Sequence, residues 1–385
     1  MSTSNMTSRE RVLRAYNHEE PDRVPVCVGG TAQKFCSSVY LAVKKHLGID
    51  DDYRLDQSLD ELGNVIHYHP GVLEFCGSDL RHIQINRLPP EGPDEDGVMR
   101  HELGYGLRTD PATGITNMVG HPWKGASAEE IKAWKMPDPT NPARFAGLRE
   151  QARAMREETD YAIASYKATL LGAFDLACVM RGMDDFLMDM IAEPEVAETI
   201  LDRTLEFNCG VYSEMLDAVG PFLDVVEFND DLGTQENMLF SPDVYRSLLK
   251  PRHAEFVALL RKKAPQAKIF LHCCGSIRPI IPDLIDIGVD VLNPIQPLAR
   301  GMEPAELKSE FGADICFQGA IDVQKGMLGS IAEVEQEVAS RIGALAPGGG
   351  YVLATANNIT GDIPLQNVLC LYNSARELGR YHLEC

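Results

Sequence analysis

The chain has 385 residues and carries 57 Asp and Glu against 36 Lys and Arg, so its formal net charge at pH 7 is -21. A surface this acidic repels phosphate groups, which excludes sequence-independent binding of nucleic acid and disfavours docking on anionic lipid. The hydrophobic fraction of 44% is that of an ordinary globular protein. We find neither a spanning apolar run of about 20 residues nor an apolar leader, so we expect a cytoplasmic protein.

The first 150 residues are predicted to form an N-terminal α/β extension. A helix is expected over Ser8–Asn17, a short strand over Arg23–Gly29 and further helices near 35–64. The Pro- and Gly-rich stretch 88–97 ends in a DG turn signal, and a TG turn signal follows at 113–114. Together they predict a hairpin-bearing excursion. We therefore expect residues 1–150 to pack on a core domain that follows.

Residues 155–385 have a regular rhythm, in which short apolar runs alternate with longer amphipathic stretches. The runs are Tyr161–Tyr166, Val225–Asn229, Ile269–Cys273, Val289–Pro294, Ile315–Gln318 and Tyr351–Ala354. Strands that alternate with helices predict a parallel sheet with helical crossovers. This rhythm alone does not distinguish an open sheet from a closed barrel.

Polar side chains follow each apolar run. They are Tyr166, Lys167, Glu227, Asp230, Asp231, His272, Cys273, Cys274, Asn293, Gln296, Gln318, Asp322, Asn357 and Asn358. In a (β/α)8 barrel the carboxyl ends of the strands converge on one face, where the active site forms. Turns favour Asn and Asp for local reasons, but this explanation accounts poorly for the His-Cys-Cys-Gly sequence at 272–275.

His272 and Cys274 form the local motif that most specifically indicates a metal site. Alternate side chains of a strand share a face, so these two residues point the same way. Imidazole and thiolate are common zinc ligands, although a buried histidine beside buried thiols would give the same pattern. A third ligand has to come from another strand end. Asp231, Glu227 and Asn357 are the candidates, and the amide is the poorest of them.

Six blocks of sequence in a fixed order carry a family resemblance. They are MTSRERVLRAYNHEEPDRVPV (6–26), RGMDDFLMDM (181–190), FNDDLGTQENMLFSPDVYRSLLKPRH (228–253), IFLHCCGSIRPIIPDLIDIGVDVLNPIQ (269–296), FQGAIDVQ (317–324) and GGGYVLATANNITGDIPLQNV (348–368). Together they resemble the uroporphyrinogen decarboxylase superfamily and, within it, the cobalamin-dependent methyltransferase-like branch. The resemblance implies a (β/α)8 TIM barrel. We therefore expect the barrel in residues 155–385, with the N-terminal extension packed on it in a single structural unit.

The resemblance also bears on the reaction. Decarboxylases of the superfamily bind their tetrapyrrole acid groups with an arginine-rich N-terminal motif of the RQAGR kind. The corresponding stretch here, VCVGGTAQKFCSSVY (26–40), contains no arginine. A substrate with many carboxylates would meet a strongly acidic chain without that clamp, so porphyrin decarboxylation is disfavoured.

The methyltransferase branch holds zinc with a His-x-Cys pair on one strand and a further Cys near the last strand. The resemblance makes His272 and Cys274 the pair and places Asn357 where the further Cys would be. We therefore expect Zn²⁺ to be bound with a carboxylate as third ligand, and Asp231 is the preferred candidate.

The resemblance implies an enzyme that moves a methyl group between a small O-, N- or S-methyl compound and a cobalt corrinoid, with activation by zinc. The corrinoid is expected on a separate carrier protein, and a homodimer is among the assemblies that the sequence allows. The expected catalytic residues are Asp231, His272 and Tyr166. The expected substrate-binding residues are Asn293, Gln296, Gln318 and Asn357.

Two alternative functions stay open. One is a decarboxylase-like lyase that acts on a smaller carboxylic acid without metal, for which Arg181, Arg278 or Lys167 would have to provide a basic clamp at the mouth. The other is a non-catalytic barrel that binds a corrinoid or another metabolite, which the missing Cys at position 357 would favour.

Overall fold

A computed structural model describes residues 6–51, 63–109 and 116–381. Its strands are β1 (Leu80–Ile83), β2 (Met99–Arg100), β3 (Gly106–Thr109), β4 (Thr116–Val119), β5 (Ala162–Ser165), β6 (Val225–Asn229), β7 (Lys268–His272), β8 (Val291–Ile295), β9 (Cys316–Ile321) and β10 (Tyr351–Thr355). Its helices are α1 (Ser8–Tyr16), α2 (Ser37–His46), α3 (Pro70–Cys76), α4 (Ala128–Ala133), α5 (Leu148–Glu158), α6 (Ala173–Arg181), α7 (Met183–Ala192), α8 (Pro194–Val219), α9 (Pro242–Val244), α10 (Lys250–Lys263), α11 (Ile281–Asp286), α12 (Pro304–Phe311), α13 (Ile331–Leu345) and α14 (Leu365–Leu378). Among the helices of these ranges, none has both the length and the apolar content needed to cross a membrane.

Seven strands form one parallel sheet in the order β1-β5-β6-β7-β8-β9-β10. A segment around Val26 closes this sheet, because Val26 forms parallel bridges with Ser78, just before β1, and with Leu353 in β10. The Cys27 amide donates to the Leu353 carbonyl at 2.9 Å, and the Asp79 amide donates to the Val26 carbonyl at 2.8 Å. The Val26 segment is thus the eighth member of a closed barrel, and the predicted (β/α)8 fold is confirmed.

Two of the eight barrel members, the Val26 segment and β1, come from residues 1–150. The expectation that the barrel lies in residues 155–385 is therefore wrong. The reason is edge pairing, since a sheet of only β5 to β10 would leave a row of unpaired backbone groups on both outer strands. The N-terminal part of the chain supplies the two members that pair these edges.

Another section of the N-terminal part forms a sheet of its own, separate from the barrel sheet. Strands β2, β3 and β4 form a small antiparallel sheet in that order, in agreement with the hairpins predicted for this region. The TG turn signal at 113–114 lies outside the described residues, as do residues 52–62 of the predicted helical stretch near 35–64.

The lower half of the barrel is filled by one apolar layer. Its members come from all eight barrel strands and from α1, and they are Val12, Tyr16, Cys27, Leu80, Ala162, Ala164, Val225, Phe270, Val291, Cys316, Val352 and Ala354. Because side chains alternate along a strand, the next inward positions lie two residues further toward the carboxyl ends. These positions carry His82, Glu227, His272, Asn293 and Gln318, so the barrel interior becomes polar toward that face.

Helix α1 closes the opposite end of the barrel, and Asp79 anchors it there. The Asp79 carboxylate is 1% exposed and accepts hydrogen bonds from Ser8, Arg11 and Arg23 and from the backbone of Val26, at 2.7–3.0 Å. This network joins the helix to both barrel members of the N-terminal part.

Candidate metal site at the barrel mouth

Asp231, His272 and Cys274 meet at the carboxyl ends of β6 and β7. One possible ligand atom from each residue lies within 4.8 Å of the other two. His272 Nε2 is 3.4 Å from Cys274 Sγ and 3.7 Å from Asp231 Oδ1. Ligands of a tetrahedral zinc ion, with bonds of about 2.0–2.3 Å, are roughly 3.3–3.7 Å apart. Both distances fit such an ion, and the third separation, between Cys274 Sγ and an Asp231 oxygen, is within 4.8 Å.

The hydrogen bonds of Asn293 decide which ring nitrogen of His272 can act as a ligand. Asn293 Nδ2 donates to the carbonyl of Gln318 at 2.9 Å, so its Oδ1 is the atom that faces His272 Nδ1 at 2.7 Å. An amide oxygen only accepts, so Nδ1 carries the proton and the lone pair is on Nε2. Burial lowers the pKa of His272, which keeps the ring neutral at pH 7.

Asp231 is held at the mouth by hydrogen bonds at both ends. Its Oδ1 accepts from the Cys274 amide at 2.8 Å, and its own amide donates to Asp175 Oδ2 at 3.3 Å. Its side chain stays 43% exposed, so it can reach a ligand that enters from solvent. Burial, together with the charges of Asp230 and Asp231, raises the pKa of Asp175 well above its usual range.

Asp175 was missed by the sequence analysis, because it lies between apolar residues in the first turn of α6 and belongs to no strand end. Gly172 explains how it comes so close: a Cβ at this position would lie 2.0 Å from the carbonyl oxygen of Asn229. The start of α6 therefore packs directly on the end of β6. Asp230 accepts from the amides of Phe174 and Asp175 at 3.0 and 2.9 Å and so caps the helix.

The Cys274 thiol lies in a strongly perturbed environment. Burial raises its pKa, and the charge of Asp231 raises it further. A bound divalent cation would reverse this effect and stabilise the thiolate. The amide nitrogen of Asn357 is 4.0 Å from Cys274 Sγ, so Asn357 lies beside the sulfur.

Two other predicted residues lie nearby but outside this group of three. Glu227, which the sequence offered as a third ligand, is buried inside the barrel; it accepts from Thr31 and lies 3.1 Å from His82 Nε2. Tyr166 is also buried, and its hydroxyl accepts from Lys34 Nζ at 3.1 Å.

Three of the four predicted substrate-binding residues make structural contacts. Asn293 and Gln318 are 0% exposed, and the strand pleat points them into the barrel, so their expected role in substrate binding stays a prediction. Gln318 is hydrogen-bonded to the hydroxyl of Tyr16 in α1. Gln296 Oε1 accepts from the Gly275 amide at 2.9 Å and shapes the turn after Cys274.

A cavity of about 80 Å³ lies at the carboxyl end of the barrel, between the segments that follow β1 and β5. We refer to it as the side cavity. The loop before β3 and the middle of α8 form its other walls. Its polar lining includes Arg87, His101, Glu102, Arg144, Tyr166, Lys167 and Asn208. Sequence reasoning identified only Tyr166 and Lys167 of this set, because the other residues lie on four segments that are distant from one another in sequence.

The sequence model of uroporphyrinogen decarboxylase (URO-D) matches residues 98–378. The chain belongs to this family. The resemblance predicted from the six sequence blocks is thereby confirmed at family level.

The methyltransferase branch is represented by two curated relatives of this URO-D protein. A methylcobamide:CoM methyltransferase, MtaA, of Methanosarcina barkeri is 26% identical over 201 residues, which cover 52% of this chain and 54% of that relative. The corresponding protein of Methanosarcina barkeri strain Fusaro is 25% identical over the same shares of both chains. The match thus spans about half the length of the curated relatives.

A solved methyltransferase structure from Methanosarcina mazei has the same fold. It superposes with a TM-score of 0.66 and 20% sequence identity, and the alignment covers 97% of this chain and 99% of that chain. The likeness therefore extends over the barrel and over the N-terminal part that completes it.

The basic residues considered for a carboxylate clamp of a URO-D decarboxylase have very different surroundings. Arg181 is buried against Asp189 at 2.8 Å, and Arg278 pairs with acidic residues of α12. Within the described part of the chain, Lys167 makes neither a hydrogen bond nor an ion pair, and it lines the side cavity. Of the three candidates, only Lys167 is placed to meet a ligand at the mouth.

Proposed function

We propose that this URO-D family member is the methyltransferase of a corrinoid-dependent system. It would move a methyl group between a small O-, N- or S-methyl compound and a cobalt corrinoid on a carrier protein. The observation that carries this proposal is the geometry of Asp231, His272 and Cys274, whose donor spacing fits one zinc ion. The names of the two curated relatives support the reaction class.

His272 Nε2, Cys274 Sγ and a carboxylate oxygen of Asp231 would hold the Zn²⁺, and the fourth position would stay open for substrate. Bound there, Zn²⁺ supplies a Lewis acid that polarises the heteroatom bearing the methyl group. One thiolate and one carboxylate neutralise the ion, which leaves it more Lewis-acidic than two thiolates would. Such a site suits a methyl ether or amine better than a soft thiol.

The surrounding residues would prepare this site. Asn293 fixes the histidine tautomer, and the Cys274 amide orients the Asp231 carboxylate. Tyr166, held by Lys34, would shape the pocket from the β5 side. Asn357 lies beside the sulfur and would contact the substrate rather than the ion, because a neutral amide is a weak zinc ligand.

A zinc titration with matched variants tests the metal site. Wild type should bind one Zn²⁺, and Cys274→Ser and Asp231→Asn should each weaken binding by tenfold or more. Cys273→Ser is the control, because Cys273 is buried and points away from His272. If the Cys273 and Cys274 variants bind zinc equally well, the proposed site is wrong.

Methyl transfer is tested with Co(I) cobalamin and a panel of methyl ethers, amines and thioethers. Loss of the Co(I) absorbance on addition of enzyme and one methyl compound is the expected result, and Cys274→Ser should abolish it. The same panel with free zinc measures the background. If no methyl compound oxidises the cobalt while zinc binds, the reaction class is wrong and only the metal site stands.

A second candidate is a lyase that acts on a small carboxylic acid. The observation that favours it is the ammonium of Lys167, which lines the side cavity and has no ion-pair partner among the described residues. Release of CO2 from such an acid by the metal-free protein would support this candidate.

A further inference from the structure

The side cavity carries a charge opposite to that of the whole chain. Among the described residues, the cations Arg87, Arg144 and Lys167 line it together with one carboxylate, that of Glu102. The chain as a whole has a net charge of -21. His101 adds no charge, because burial, with help from Arg144 and Arg87, lowers its pKa to about 4. The cavity is therefore a local positive site, and such a site attracts an anion.

The charge of Lys167 is the one that remains available to a ligand. Arg144 pairs with Glu102, whereas Lys167 has no ion-pair or hydrogen-bond partner among the described residues. The Lys167 ammonium is also one of the charges that act on His272 and Cys274. Lys167 thus lines the side cavity and lies within electrostatic range of the metal site.

Asn208, in the middle of α8, offers a second group to a ligand. It is 3% exposed and lines the side cavity, and its Nδ2 donates to the Leu171 carbonyl at 3.2 Å. Its Oδ1 is buried without a hydrogen-bond partner in the described ranges. A buried acceptor left unpaired costs free energy, which a donor group on a bound ligand would recover.

The size of the side cavity limits how much of a ligand it encloses. At about 80 Å³ it is smaller than a cavity of roughly 150 Å³ that holds benzene. Apolar groups of Leu103, Leu171 and Val211 complete its lining. It therefore has room for the end of a small molecule, while the remainder would extend toward the mouth.

We propose that the side cavity binds the carboxylate end of the substrate, a small organic acid that also carries an N–H or O–H donor. Lys167 pairs with the carboxylate, and Asn208 Oδ1 accepts from the donor. That this acid is the methyl-bearing substrate rests on the proposed function, whereas the binding of an acid does not. The methyl group then lies at the end that faces Asp231, His272 and Cys274.

Three matched probes test the proposal by calorimetry on the protein as purified: 3-methoxypropanoate, its neutral amide, and 2-hydroxy-3-methoxypropanoate. Wild type should bind the acid tenfold or more tightly than the amide, since a charge-assisted hydrogen bond is lost in the amide. The hydroxy acid should bind more tightly again. Lys167→Gln should remove the preference for acid over amide, and Lys167→Arg should retain most of it.

Two further variants separate the two contacts. Asn208→Leu should remove the advantage of the hydroxy acid and leave the preference for acid over amide. Lys263→Gln is the charge-matched control, because Lys263 pairs with Asp217 at the N-terminal end of the barrel. This variant should change neither the preference for acid over amide nor the advantage of the hydroxy acid. Melting temperatures of all variants show whether each one is folded.

The proposed binding of a carboxylate in the side cavity is refuted by any of three results. Wild type does not distinguish acid from amide, it binds none of the three probes, or Lys167→Gln keeps the preference for acid over amide. Methyl transfer to Co(I) cobalamin from the same probes separates this outcome from failure of the proposed function. Binding of the acid without any methyl transfer would retain the pocket and count against the methyltransferase. Equal methyl transfer from acid and amide would support the methyltransferase and refute the pocket.

Discussion

At the residue scale, two hydrogen bonds of Asn293 give it a specific role in orienting a proposed metal ligand. It accepts from His272 Nδ1 and donates to the Gln318 carbonyl, so it fixes the tautomer of a proposed ligand without touching the ion. Asn293→Leu keeps the volume and removes both bonds. We expect zinc affinity to fall by about 10- to 100-fold, the usual cost of losing a residue that orients a metal ligand.

The control for this variant is Asn367→Leu. Asn367 is also buried, and its amide donates to the carbonyls of Met327 and Gly329, away from the mouth. Both substitutions should destabilise the fold, and only Asn293→Leu should weaken zinc binding in a chelator competition assay. Equal zinc affinities of the two variants would contradict the orienting role.

Cys274 and His272 together predict how zinc affinity depends on pH. The pKa of His272 is lowered, so above about pH 6.5 the ring is neutral and does not release a proton when it binds. The pKa of Cys274 is raised, so its thiol is protonated at neutral pH and must lose that proton to zinc. Affinity should therefore rise about tenfold per pH unit from pH 7 to 9.

Competition titrations at several pH values measure this slope. Calorimetry in buffers of different ionisation enthalpy counts the released proton directly. In Cys274→Ser the slope should flatten, because a serine hydroxyl keeps its proton. A wild-type affinity that is constant from pH 7 to 9 would show that the thiolate is not a ligand.

Side-chain alternation and the convergence of strand ends were enough to predict that Asp231, His272 and Cys274 come together. Those rules do not show which inward side chains reach the mouth and which pair inside the barrel. Asn293 and Gln318 obey the same alternation and lie at the level of His272, yet the Asn293 amide bonds to the neighbouring strand and the Gln318 amide bonds to α1. Asp175 arrives from a helix, and no periodicity of the strands could indicate it.

At the element scale, the predicted strands agree with β5 to β10 to within a few residues, because each is a continuous apolar run buried on both faces. β1 reads Leu-Arg-His-Ile, with only two apolar residues, and was not predicted. The strand predicted over Arg23–Gly29 was expected outside the barrel. It joins the barrel through bridges at Val26 alone, and pairing with strands so distant in sequence has no local signal.

Asp79 ties these two elements to α1, which leads to a stability prediction. Asp79→Asn keeps the shape but leaves the guanidinium groups of Arg11 and Arg23 without their shared buried carboxylate. Removing one partner from a buried ionic network costs about 3–5 kcal/mol. Zinc affinity should be unchanged, because Asp79 lies at the opposite end of the barrel.

Urea unfolding followed by circular dichroism measures the stability loss. Asp217→Asn is the matched control, since the Asp217 carboxylate is largely exposed and pairs with Lys263 on the surface. That change should cost less than about 1 kcal/mol. Similar unfolding midpoints for the two variants would show that Asp79 does not anchor α1 as described.

At the scale of the whole molecule, charge and topology act on different parts of the chain. The acidic excess repels polyanions from the surface. Lys167, which has no ion-pair partner among the described residues, lines a cavity at the carboxyl end of the barrel where a small anion can reach it. Topology acts through closure: the barrel is complete only when the Val26 segment lies between β1 and β10.

Closure makes a strong prediction about fragments. A chain of residues 155–385 contains the six strands β5 to β10 and exposes the edges of β5 and β10, which are paired in the whole protein with β1 and the Val26 segment. Unpaired edges of a largely apolar parallel sheet promote aggregation, and the apolar layer would lose Val12, Tyr16, Cys27 and Leu80. We expect this fragment to aggregate or to unfold without a cooperative transition.

A chain that starts at Met6 is the control and should melt as the full chain does. Co-expression of 1–154 as a separate chain should restore solubility, because it returns both missing barrel members. A soluble, cooperatively melting 155–385 fragment would mean that these strands form a stable sheet without the N-terminal part.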